Sequence, residues 1–92
     1  MPSNMTKLEQ SIIANARAEL SAVLYFYRKK AEGSMTIDEF DDAWRDYLGH
    51  YHALNALLMF AHQADVGMSA EAVQALQLIE DEHAGAYRAS TN

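Results

Sequence analysis

A chain of 92 residues with 50% hydrophobic content fits one small domain that buries enough apolar surface to offset the entropy of ordering itself, which leaves no room for a second module. The lack of cysteine excludes a disulfide framework and a thiolate metal site. Seven Lys and Arg against 13 Asp and Glu give a net charge of −6, unevenly placed: five basic and three acidic residues run up to Ile37, two basic and ten acidic from Asp38 onward. An acidic field of that kind repels phosphate backbones and suits a basic protein surface, so nucleic acid is not an expected partner.

The opening Met1-Pro2-Ser3-Asn4-Met5 has no basic region followed by an apolar run, and no later run approaches the ~18 apolar residues of a membrane span. Neither a secretory signal nor membrane contact is expected, and the cytoplasm is the expected location. Thr6-Lys7-Leu8-Glu9 then predicts a capping box and the start of a helix over about 7–32. Leu8, Ile12, Ile13, Ala16, Leu20, Val23, Tyr27 and Ala31 recur at mostly three- and four-residue intervals, the stripe of an amphipathic helix, and Gly33 ends it. Arg28, Lys29 and Lys30 oppose the negative end of its macrodipole and are expected beside Asp38, Asp41 and Asp42 of the next helix.

A second capping box, Thr36-Ile37-Asp38-Glu39, starts a helix expected over 37–66. Ile37, Phe40, Trp44, Tyr47, Tyr51, Leu54, Leu58 and Ala61 alternate in steps of three and four, an unbroken heptad seam. Gly49, inside it, predicts a bend or a close backbone approach. Ser69 as N-cap and Glu71 in the first turn begin a third helix over about 70–88, with Val73, Leu76, Ile79, His83 and Tyr87 facing inward.

Short connections around Gly33-Ser34-Met35 and Val66-Gly67-Met68 make the expected fold an all-α antiparallel three-helix bundle, one domain with two long helices and one shorter. A second helix of about 29 residues is roughly 43 Å long and a third of about 19 roughly 28 Å, so roughly 15 Å of the first hairpin is expected to lack its third wall. Apolar runs Ala22–Tyr27 and Ala56–Ala61 add surface that one copy is not expected to bury.

The expected function is accordingly a non-enzymatic helical protein–protein interaction module, a small inhibitor, adaptor or regulator that occupies a surface on a partner and associates with itself, most simply as a dimer. Short, acidic, cysteine-free helical chains of this kind are common among accessory proteins of phages and mobile elements. The expected contact surface comprises Leu24, Tyr25, Tyr27, Ile37, Phe40, Asp42, Trp44 and Asp46, aromatic anchors within a charged rim. No Gly-rich phosphate loop, nucleophile elbow or Cys nucleophile is present, so no catalysis and no cofactor are expected. Two other readings stand beside it. Hairpin register sets Glu19 level with His50 and His83 level with His52, so Glu19, His50, Glu80 and His83 are candidates for a small metal- or ligand-binding layer, against which stands a polar layer in which His83 meets a carboxylate or a tyrosine hydroxyl. Asp38, Asp41, Asp42, Asp46, Glu80, Asp81 and Glu82 are candidates for imitating phosphates toward a basic groove.

Overall fold

The computed structural model of the chain describes residues 5–63 and 66–91. Three helices follow one another, α1 (Lys7–Glu32), α2 (Ile37–Ala61) and α3 (Ala70–Thr91), with no strand among the described residues. Both capping boxes form. Thr6 Oγ1 accepts from Glu9 N–H at 3.1 Å while Thr6 N–H donates to Glu9 Oε1 at 2.9 Å, and Thr36 and Glu39 repeat the exchange at 3.1 and 3.0 Å. Gly33, at φ 68°, closes α1 in the left-handed region that a side chain would resist.

Helix α2 stops at Ala61, short of the expected 66; residues 64 and 65 of that span lie outside the described residues. The His62 N–H reaches back to the carbonyls of Leu58, Met59 and Phe60, the tightening of a last turn. Helix α3 continues past Arg88 because the hydroxyls of Ser90 and Thr91 donate to the carbonyls of Tyr87 and Arg88, at 2.8 and 3.1 Å, and satisfy groups that a helix end leaves open. The two helices are therefore 25 and 22 residues long, a mismatch of about 4.5 Å at 1.5 Å per residue rather than roughly 15 Å. The third wall reaches further than the sequence suggests.

Helix α1 is the centre of the packing. Both other helices lie against it, and they touch each other far less. Ile12, Ile13, Ala16 and Leu20 of α1, Leu54, Leu58 and Ala61 of α2, and Ala72, Leu76 and Ile79 of α3 form the main core. A second, aromatic cluster of Val23, Phe26 and Tyr47 continues it toward the α1–α2 turn. The apolar stripes are buried at their middles and open at their ends: Leu8 is 69% exposed and Ile37 82%, and Val73 and Tyr87 also reach solvent. The runs 22–27 and 56–61 are likewise only partly covered, with Tyr25, Met59 and Phe60 exposed.

One carboxylate ties two helix starts together. Glu9, buried although charged, accepts from the backbone N–H of Ser69 at 2.6 Å as well as from Thr6, while Ser69 Oγ caps α3 by accepting from Ala72 N–H at 3.2 Å. The N–H donors of Ser69 and then Thr6 hold the Glu9 carboxyl below the usual carboxylate range. The positive ends of α1 and α3 thus share one anion.

Gly49 does not interrupt α2, and no neighbour approaches it closely. A Cβ there meets nothing within 4 Å, and the helix runs through it without interruption. Gly49→Ala should therefore stabilise the protein by about 1 kcal/mol, the helix-propensity difference, seen as a higher urea midpoint with an unchanged m-value. A destabilised variant would mean that the position is occupied in solution.

Candidate functional site

The aromatic end of the bundle is built around Phe26, a residue outside the stripe that periodicity assigned to α1. Its ring, 4% exposed, meets Phe40 and Trp44 edge-on with centroids at 5.8 Å each and Tyr47 at 4.6 Å. Phe40 and Trp44, one turn apart on α2, lie nearly parallel at 8° with centroids 6.4 Å apart. Their inner edges rest on Phe26 and their outer faces are in water, 37% and 45% exposed, with Ile37 beyond them on the same helix edge. Offset and edge-on ring contacts of this kind add to area burial, so the cluster is held in place while still presenting apolar surface.

The residues expected to form one contact surface divide. Ile37, Phe40 and Trp44 share an edge of α2. Leu24 does not join them: it is half-buried and packs against the main core, because it is two residues, or about 200°, round the helix from Phe26. Tyr25 is exposed and covered instead by the Arg28 guanidinium, 5.8 Å above its ring. Tyr27 is half-buried and engaged in hydrogen bonds. Asp42 and Asp46 are exposed on α2, and Asp46 approaches His50 Nε2 at 3.5 Å. Phe26 escaped the sequence reading because Val23 is followed by apolar residues at both three and four positions, and the pattern admits either.

The charges at this end do not neutralise one another as expected. Lys29 pairs with Glu32 of its own helix at 3.2 Å, and among the described residues Asp38, Asp41, Asp42, Lys30, Arg45 and Arg88 form no ion pair.

The histidines resolve into separate pairs rather than one layer. His50 Nδ1–H donates to Glu19 Oε2 at 2.6 Å, the cross-helix meeting that register predicts. Glu80 turns to His62 Nε2 at 3.1 Å, while His83 Nε2 shares a 3.0 Å bond with the Tyr27 hydroxyl, itself 3.1 Å from that of Tyr47. Glu19, His50, Glu80 and His83 therefore do not converge, and no group of three or more His, Asp or Glu among the described residues is placed to hold one metal ion. Glu80 and His83, three residues and only about 60° apart round α3, share a side of that helix, yet Glu80 is taken by His62 beyond the end of α2 and His83 by Tyr27 of α1.

These pairs move two imidazoles in opposite directions. The Glu19 hydrogen bond, opposed by some desolvation and helped by Asp46, raises His50 above its ordinary value, whereas burial among Tyr27, Tyr51 and Tyr87 lowers His83. The contribution of His50 is fully present below the unfolded value of about 6.5 and is lost as pH rises through its higher folded value. That of His83 is present above about 6.5 and is lost as pH falls through its lower folded value. Glu19→Gln should thus lower the urea midpoint at pH 6 and leave it almost unchanged at pH 9, and His83→Gln should flatten the acid limb. A Glu19→Gln deficit that is equal at both pH values would contradict the charged pair. Burial also raises the Tyr27 phenol well above its usual range, so it stays protonated and available to hydrogen-bond throughout.

The chain matches no protein-family model, no curated protein and no solved structure. Among the described residues no helix is long and apolar enough to cross a membrane.

Proposed function

We propose that the chain is a non-enzymatic helical protein–protein interaction module, acting as an inhibitor, adaptor or regulator, that docks through the α2 edge carrying Ile37, Phe40 and Trp44. One observation carries this reading: the heptad seam of α2, buried at Tyr47, Leu54, Leu58 and Ala61 and half-buried at Tyr51, continues outward into Ile37 at 82% exposure and a half-exposed Phe40–Trp44 pair braced from behind by Phe26. Rigid aromatic anchors with one face in water lose little side-chain entropy on binding and sit within a rim of Asp38, Asp41, Asp42 and Arg45, which form no ion pair among the described residues. Within this reading the helices run up, down and up, an antiparallel arrangement supported by the pairs Glu19–His50, Tyr27–Tyr47 and Tyr27–His83, and the first occupant of the docking edge is a second copy.

The test is light scattering over a concentration series on the wild type and on Ile37→Lys, a substitution at an exposed position that should leave folding intact. The wild type should exceed its 10.3 kDa monomer mass and the variant should fall back toward it. The reading fails if the wild type stays monomeric at every concentration and a protein that binds it binds Ile37→Lys equally well.

A further inference from the structure

Between the ends of the three helices, next to the aromatic cluster, lies a cavity of about 180 Å³ whose walls include Phe26, Lys30, Trp44, Tyr47, Tyr87 and Thr91. Across Tyr87 it adjoins a second cavity of about 250 Å³ lined by Tyr51, His83 and Arg88. Each holds one cation. Neither is lined by a single Asp or Glu among the described residues, although the chain carries 13 of them against seven Lys and Arg. Lys30 and Arg88 also form no ion pair among the described residues. We propose that the cavity between Lys30, Trp44, Tyr47 and Tyr87 binds an aromatic carboxylate, its ring between the aromatic walls and its charge at the Lys30 ammonium.

The size and chemistry of the walls set the class. At about 180 Å³ the space is smaller than the roughly 300 Å³ at which drug-sized pockets begin, and it suits one ring rather than several. Trp44 and Tyr87 offer ring faces and edges, which favour an aromatic over a branched aliphatic occupant. The hydroxyl of Thr91 is already committed as a donor to the Arg88 carbonyl, so it cannot give a proton to an anion. Lys30 supplies the charge. Tyr47 is the hydrogen-bond donor in this proposal: both bonds of the Tyr47–Tyr27–His83 chain can run in either sense, and when His83 Nε2–H donates to Tyr27 and Tyr27 to Tyr47, the Tyr47 hydroxyl is left to donate to an occupant. A carboxylate there orients the whole Tyr47–Tyr27–His83 chain in that sense. The ring and its acid can belong to a free metabolite or to the C-terminal aromatic residue of a peptide.

The site shares Trp44 with the docking edge but not Ile37, so Ile37→Lys should leave it unchanged. Benzoate represents the free acid and N-acetylphenylalanine the peptide terminus, each compared with its neutral amide on the full chain, by saturation-transfer NMR and by the fluorescence of Trp44, the sole tryptophan. At least one acid should bind about tenfold tighter than its amide, the worth of one charged hydrogen bond. Lys30→Met should abolish that preference and Lys30→Arg should retain it; the acid bound more tightly identifies the source. Tyr87→Ala should weaken acid and amide alike. Acids and amides that bind equally to the wild type, or a preference that survives in Lys30→Met of unchanged thermal stability, would overturn the proposal.

Discussion

Phe26→Ala should cost about 3–5 kcal/mol, the range for truncating a buried aromatic, out of the roughly 5–15 kcal/mol that stabilises a small domain. The reason lies in its position: at 4% exposure its ring is the common support of Phe40, Trp44 and Tyr47, so its removal leaves a cavity that none of them can fill without abandoning another contact. Trp44→Ala, although it deletes a larger side chain, should cost clearly less, because Trp44 is 45% exposed and part of its surface never leaves water. Urea unfolding of the two variants should separate their midpoints widely. Equal midpoints would mean that Trp44 is covered in solution, which is itself the signature expected of a self-associated chain, and dilution would then lower the midpoint of the wild type.

Leu76→Ala should be the other severe change, about 2–5 kcal/mol, because Leu76 is 1% exposed in the core where residues of all three helices meet. Leu78, two positions further along α3, is 59% exposed, and its replacement by alanine should stay within about 0.5 kcal/mol. The contrast checks the rotation of α3 about its own axis, since two positions correspond to about 200°. A costly Leu78→Ala would place that side of α3 against a partner. The same pair also gauges how far stability rests on α3, which leans mainly on α1 and is otherwise held to α2 by His62–Glu80 and the aromatic contacts of His83.

Much of this architecture can be read from short stretches of chain. Thr6 with Glu9 and Thr36 with Glu39 announce helix starts because a capping box needs only residues three apart, and Gly33 announces an end because a left-handed residue is a local demand. The meeting of Glu19 with His50 was also legible, since a tight turn fixes register over the first few helical turns on either side. Helix ends were less so. The stop at Ala61 and the continuation to Thr91 depend on which carbonyls a particular N–H or hydroxyl can reach, and apolar spacing carries no information about that.

The partners of Glu9 and Glu80 show where local reading gives out. As sequence, Glu9 is the third residue of a capping box; in the folded chain it also holds Ser69, sixty residues away, and joins the starts of two helices. Glu80 with His83 reads as a possible ligand pair, yet the orientation of α3 sends one toward His62 and the other toward Tyr27. Sequence by itself determined three amphipathic helices, their caps and the aromatic weight of the α1–α2 end, because periodicity and capping involve neighbours a few residues apart. Only the tertiary structure decided that Phe26 supports that end while Leu24 turns away, that Ile37 and Trp44 remain in water, and that Lys30 lines an aromatic cavity with no Asp or Glu among its described residues. Those outcomes depend on the rotation of each helix about its axis, which is settled by the fit of all three against one another.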